Sequence, residues 1–425
     1  MAFSRRLFLG GIVAGCCGRS LLGATGKRPK IVLRSSWQMV NIGDIAHTPG
    51  VLTLLERYVP EADVILWASS EHSEEVAQME KKRFRNLKGV VKGRVSHDGK
   101  EVSSEDLKKA LDECDFLLHG SGASFVDYWG ISRAVRRTGK PYGVWGITYS
   151  GSEVRQQEFM STAQFIFFRD SISLGVAREE GITAPIMEFG PDGAFAVDLR
   201  NEAAAERFLA QHGLESGKFV CVIPRYRYTP YWQIRNKPMT DQDRERWAWA
   251  QKMKEHDNAP LRKAIEAVVR ETDCRVLICP EDRSQVALGK EILYDPLPED
   301  IRKRTVWRDS YWLTDEAVST YIRSAGLFGL EMHSPIMCIG NGVPAIVCRF
   351  EEQTSKGLMW RDIGLSEWLF DMDQEEEIPK ITPAVLDMVQ NREASLEKVR
   401  KAQTIVRQRQ DRMGEVLREA LKAYL

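Results

Sequence analysis

No two of the eight cysteines stand in a Cys-x-x-Cys pair, which argues against a zinc site or a disulfide frame. Cys114, Cys221, Cys274, Cys279, Cys338 and Cys348 lie in or beside apolar runs. They read as buried small hydrophobes, so no metal is expected. Surplus charge is also lacking: 60 Lys plus Arg balance 60 Asp plus Glu. A protein that grips nucleic acid needs a basic surface, so that class is excluded, while a local cationic pocket stays open. No apolar run reaches the roughly 20 residues of a spanning helix, and no fixed-period repeat suggests a solenoid or propeller.

What is present begins with Ser4-Arg5-Arg6 before Leu7-Phe8-Leu9 and a short apolar run that Arg19 interrupts. This pattern is that of a twin-arginine-type export signal or anchor over residues 1–26. Cys16 ends a lipidation-box-like "VAGC" and Ala24 ends a cleavage-site-like "LGA". The expectation is an exported, periplasmic or membrane-anchored protein, attached through the N-terminus only, or a cytoplasmic one if the signal is not used.

From Lys30 onward, short β-branched runs alternate with amphipathic segments. "KIVLRSS", "ADVILWAS", "DFLLHG", "PYGVWGI" and "FIFFRD" read as strands of a first series, and "KFVCVIPRY", "CRVLICP", "TVWRDSY", "GLFGLEM" and "PAIVCRF" as those of a second. Apolar strands separated by helices predict parallel sheets covered on both faces. The expected architecture is α/β, with two Rossmann-like doubly wound domains over 28–198 and 217–375. A long helix within 380–425 is expected to pack on them through Val399, Ala402, Val406, Met413, Val416, Leu417 and Ala420.

In such sheets ligands collect beyond the carboxyl ends of the strands, so polar residues there are the candidates. Asn41, Gly43 and Asp44 open a helix after the first strand; Asp44 is a binding group or a cap. Gly120, Ser121 and Gly122 form a turn that lets backbone approach a ligand. Arg169 ends "FIFF", either to pair with Asp170 or to hold an anion with its planar fork, and Ser171 suits the cap of the next helix. Arg225 and Arg227 alternate with Tyr226, Tyr228, Tyr231 and Trp232, a pattern suited to a sugar or an anionic ligand, or to a plain surface loop. Glu281 and Asp282 are caps or hydroxyl-binding carboxylates. Strand alternation places Glu331 and His333 on one side, with Ser334 and Pro335 as cap and first position of a helix. A buried Glu331 needs a partner, and His333 exchanges protons near neutral pH.

"NIGD", "FRDSIS", "GPDGAF" and "MHSPIMCIGNGVPAIVCRFEEQTSKGLMWRDIGL" together resemble the polysaccharide pyruvyl transferase family. The resemblance implies two Rossmann-like domains in the glycosyltransferase-B arrangement. It also implies transfer of the enolpyruvyl unit of phosphoenolpyruvate, a donor substrate rather than a cofactor, to a sugar of a surface or exported polysaccharide. By that resemblance His333 is the catalytic histidine, with Glu331 and Asp44 beside it. Arg169 is the anion-binding arginine, Lys356 the basic residue after the last strand, and Ser334 part of the substrate-binding set. Where the family has Arg-x-His this chain reads Glu331-Met332-His333, leaving Arg225, Arg227 and Lys356 as candidate compensating cations. Two other readings remain open: a glycosyltransferase-B enzyme using another anionic donor such as a nucleotide sugar, and a non-catalytic exported glycan-binding protein.

Overall fold

The computed structural model describes residues 28–425; the expectations placed on Ser4–Arg6, Cys16 and Ala24 lie outside the described residues. Two parallel sheets form the frame. The first contains β1 (Lys30–Arg34), β2 (Asp63–Trp67), β3 (Leu87–Val91), β4 (Phe116–His119), β5 (Tyr142–Ile147), β6 (Phe165–Phe168) and β7 (Met187–Phe189), in the order β3-β2-β1-β4-β5-β6-β7. The second contains β8 (Phe219–Ile223), β9 (Arg275–Ile278), β10 (Thr305–Trp307), β11 (Gly326–Gly329), β12 (Ala345–Arg349) and β13 (Leu369–Asp371), in the order β10-β9-β8-β11-β12-β13. Each order reverses beside its first strand, between β1 and β4 and between β8 and β11, which leaves a crevice at the carboxyl ends.

The inner strands are largely apolar because helices cover both faces. In β4, β6, β8 and β11 every residue is buried. The expected α/β class and the ten expected strands are present. β3, β7 and β13 were not anticipated, since "LKGVV", "MEF" and "LFD" are too short or too mixed to stand out.

The C-terminal segment forms two helices, Ile381–Gln390 and Arg392–Leu421, rather than one. The longer buries Val399, Ala402, Val406, Met413, Val416 and Leu417 as its spacing predicts. It touches both halves. Gln403 donates to the carbonyls of Ile339 and Gly340 at 3.0 and 3.2 Å, while Arg412 pairs with Glu188 at 2.8 Å.

Two further contacts pin the halves at the crevice. Asn41 and Asp282 form an antiparallel bridge. Around it, the Ile42 amide donates to the Glu281 carbonyl at 2.9 Å and the Arg283 amide to that of Val40 at 3.1 Å. The loop after β1 is therefore stitched by backbone to the loop after β9.

Candidate active site

The helix Ile42–Tyr58 starts where the Asn41 side chain accepts from the Gly43 and Asp44 amides. Asn41 is thus the cap, which occupies its oxygen, and Asp44 is free to serve otherwise. Asp44 and His47 are one turn apart and share a face of the helix. His47 is buried. Its Nδ1 lies 2.7 Å from Ser121 Oγ, beyond β4, and 3.1 Å from Asp192 Oδ1, beyond β7.

Arg169 reaches the same carboxylate. Its Nη1 donates to Asp192 Oδ2 at 2.7 Å and its Nε to Thr148 Oγ1 at 2.6 Å, with no exposure of the side chain. The partner is Asp192, not the adjacent Asp170. Asp170, rather than Ser171, caps the next helix, accepting from the Ser173 amide at 2.7 Å. Burial opposes the charge on Asp192 most strongly. Even so, His47 and Arg169, with His333 beyond, hold its carboxyl well below the ordinary value.

His333 arrives from the other half. β11 ends at Gly329 and the helix His333–Gly340 begins at His333 itself, with Met332 at the cap. Strand alternation therefore does not place Glu331 and His333, and Ser334 is not the cap. Ser334 instead donates its amide to Glu281 Oε2 at 2.6 Å, and its Oγ lies 3.1 Å from the Tyr321 hydroxyl. His333 Nδ1 lies 3.3 Å from Glu281 Oε1. A carboxylate only accepts, so Nδ1 carries the proton and Nε2 presents its lone pair. The His333 ring meets that of His47 edge-on at 4.9 Å between centroids. Burial, then Lys356 and His47, push its pKa well below the ordinary value. Those surroundings favour the neutral ring.

Gly43 permits this meeting. A β-carbon there would lie 2.3 Å from His333 Cβ, so only glycine lets the ring close over the helix start.

Glu331 is 1% exposed. Arg225 Nη1 pairs with its Oε2, and Gln285 Nε2 donates to its Oε1 at 2.6 Å. Of the three candidate compensating cations, Arg225 makes the direct contact. Burial, with Glu281 adding to it, still pushes the Glu331 carboxyl up to about 7. Arg227 is not available to a substrate: Asp257 holds it through two bonds of 2.9 and 3.0 Å, and Asp373 and Glu352 add contacts at 2.7 and 3.3 Å.

Lys356 sits on the loop after β12, partly exposed. Burial and the nearby Arg225 and Arg169 push its ammonium down to about 8. Thr354, two residues before it, takes a φ of 61°, a strained geometry for a β-branched residue that is common at ligand sites. Asp44, also partly exposed, is raised by burial against the pull of His333, His47 and Lys356.

The turn at Gly120, Ser121 and Gly122 belongs to the frame of this centre. Ser121 bonds His47. A side chain on Gly120 would meet Ser35, and Gly122 bridges Ile147. His119 is structural: it is buried, stacked on Trp37 at 5.0 Å, bonded through Nε2 to the Val126 carbonyl at 2.9 Å, and its pKa is pushed down by burial to about 3. Sequence reasoning passed over His47, Asp192 and Gln285. The signals were the Asp44-to-His47 spacing of one turn and the aspartate within "GPDGAF".

Three buried polar atoms of this network have no partner among the described residues: His47 Nε2, His333 Nε2 and Arg169 Nη2. Such atoms cost roughly 1–3 kcal/mol each, and clusters of them mark places shaped for a ligand. Ligand atoms of His47, Asp192 and His333 lie within 4.8 Å of one another, a spacing that also suits a metal ion. Both Asp192 oxygens, however, already serve Arg169, His47 and the Ala194 amide. With Arg169 and Lys356 close by, the chemistry of the set favours an anion. A cavity of about 170 Å³ lies against Arg225, lined by Tyr228, Tyr231, Trp232 and Trp247 among others.

Comparison with solved structures finds the same fold of two parallel α/β sheets. A MnaA–UDP co-structure from S. aureus aligns with a TM-score of 0.55 at 12% identity, over 93% of this chain and 97% of that one. The Anabaena Alr3699/HepE structure in complex with UDP and glucose gives 0.54 at 9%, over 93% and 100%. UDP-GlcNAc 2-epimerase from Neisseria meningitidis bound to UDP-GlcNAc gives 0.52 at 11%, over 92% and 100%. At these identities the likeness is one of fold. Residues 41–350 match the family described as "Polysaccharide pyruvyl transferase", a span that runs from Asn41 through His333 to Phe350. The chain belongs to the polysaccharide pyruvyl transferase family, a family of polysaccharide-modifying transferases.

Proposed function

We propose that this protein transfers the pyruvate unit of phosphoenolpyruvate to a saccharide of a surface or exported polysaccharide, with the centre around His333 as its active site. The observation that carries the reading is the set of unpartnered buried nitrogens on His47, His333 and Arg169, next to the cation of Lys356. The guanidinium of Arg169 and the ammonium of Lys356 suit a small, multiply charged carboxylate-phosphate, and the lone pair on His333 Nε2 suits a hydroxyl that must lose its proton.

In the reaction two sugar hydroxyl oxygens bond to C2 of the donor and its C–O bond to phosphate breaks. One hydroxyl proton ends on the alkene carbon, which becomes a methyl group, and the other on departing phosphate. His333 Nε2, with Nδ1 held by Glu281, is the base for a hydroxyl. Glu331, a carboxyl near 7, and the raised Asp44 carboxyl are the acids within the cluster. A bound trianion restores basicity to His333 by offsetting Lys356. The aromatic faces beside Arg225 suit the sugar ring.

The test is phosphate release from phosphoenolpyruvate in the presence of saccharide acceptors. We expect turnover that His333→Ala lowers by at least about a hundredfold. No release with any acceptor tried, or release that is indifferent to His333, overturns the proposal. A nucleotide-sugar donor is the second reading, favoured by the UDP-bound neighbours, and the same assay with UDP-sugars separates the two.

Export through the twin-arginine-type segment is part of the proposal. Arg5→Lys together with Arg6→Lys is expected to hold the protein in the cytoplasm. Fractionation that finds its distribution unchanged contradicts this.

A further inference from the structure

A second cavity, of about 420 Å³, opens at the carboxyl ends of β1, β2 and β3, away from His333. Four cations line it, Arg34, Lys92, Arg94 and Arg133, against one acid, Asp127. In a chain whose charges cancel overall, this is a local positive field of the kind that collects anions.

Arg34 is the built part. It is 7% exposed, and its guanidinium lies between the indoles of Trp37 and Trp67 at 5.1 and 5.2 Å. Nε donates to Asp127 Oδ2 at 2.9 Å, and Nη1 to the carbonyls of Ser35 and Trp67 at 3.2 and 2.9 Å. Nη2 is left without a partner among the described residues, on a fork already fixed in place. Keeping a guanidinium charged in such a position is costly, and burial lowers its pKa despite Asp127. The other oxygen of Asp127 is engaged by the Gly130 amide at 3.2 Å, so the single acid does not neutralise the set. Arg94 has no side-chain partner among the described residues, and Arg133 gives Nη1 only to the Val95 carbonyl at 3.4 Å. Ser69, on the rim, has a buried hydroxyl without a partner.

We propose that this cavity is an oxyanion-binding site, built for a phosphate or carboxylate group and separate from the centre at His333. A short path of contacts joins the two. Trp37, stacked on Arg34, donates Nε1 to the Ser121 carbonyl at 2.8 Å, and Ser121 Oγ bonds His47. Resting on the transferase reading, the bearer of the anion is the saccharide acceptor, which the pocket anchors at the far end of that path.

The test is calorimetric titration of the full chain with inorganic pyrophosphate and, separately, with a glucuronic acid trimer, at low salt. We expect the better-fitting of the two to bind, and Arg94→Gln, at an exposed position, with Arg133→Gln, at a half-buried one, to weaken it about tenfold or more. His333→Ala should leave that affinity within about twofold. Preference for pyrophosphate identifies a phosphorylated ligand, and preference for the trimer a carboxylated one. No binding of either probe, or binding that the double substitution leaves unchanged, overturns the proposal. Loss caused by His333→Ala alone overturns it too, because the anion would then sit at the other centre. Failure of phosphoenolpyruvate turnover does not enter this result, so the two proposals fail separately.

Discussion

Gly43 and His333, from opposite halves of the molecule, are packed so closely that a β-carbon on the glycine would lie 2.3 Å from the histidine Cβ and 2.4 Å from its Nδ1. The start of one helix thus sets the position of the ring that begins another.

Gly43→Ala isolates this contact. Alanine is the better helix former by about 1 kcal/mol, so a helix-based account predicts a more stable protein. The packing predicts a displaced ring instead: turnover reduced at least about tenfold and a lower Tm. A variant with unchanged kcat and a higher Tm contradicts the proposed role of the close contact.

Glu331 and Arg225 test the departure from Arg-x-His. Glu331→Arg puts a second guanidinium beside Arg225 and removes the acceptor of Gln285, so we expect a loss of about 3–5 kcal/mol, as for breaking a buried pair. Joining it to Arg225→Glu should recover part of that loss. Denaturant titration of the three variants gives the coupling, and full additivity would mean that the pair does not act as one.

The same carboxyl makes stability depend on pH. Its value is raised from 4.5 to about 7, so between those limits the folded chain holds a proton the unfolded chain has lost. Its contribution is complete below about 4.5 and is lost as pH rises through about 7, on the order of 3 kcal/mol in all. Asp44 and Asp282, both raised, act in the same direction. Chemical denaturation of Glu331→Gln at pH 5 and pH 7.5 should show a smaller difference than the parent chain. An equal difference assigns the proton elsewhere.

Lys356, lowered to about 8, is a cation below that pH and loses its charge above it. The KM for an anionic donor is expected to rise as pH passes 8, and Lys356→Met to raise KM at pH 7 while flattening the profile between pH 7 and 9. A rise in KM that persists in the methionine variant removes Lys356 from the donor site.

Sheet composition and strand ends were legible in the sequence because buried parallel strands must be apolar. Polar residues that follow them, Arg169, Arg225, Glu331 and His333, stand out for that reason. What pairs with what was not legible. Arg169 turns to Asp192, 23 residues on, rather than to its neighbour Asp170. His47 looks like any helix residue until Ser121 and Asp192 close around it. Arg227 matches Arg225 in composition yet is consumed by Asp257, Glu352 and Asp373. These choices depend on which loops two sheets bring together, and spacing along one chain does not encode them.

The most direct measurement is equilibrium thermal unfolding of the full chain at pH 7 with phosphoenolpyruvate and, in parallel, with a UDP-sugar. A ligand at a hundred times its Kd stabilises by about 2.7 kcal/mol. The account predicts a rise in Tm with phosphoenolpyruvate that Lys356→Met diminishes, and none with the UDP-sugar. A rise with the UDP-sugar and none with phosphoenolpyruvate would contradict it.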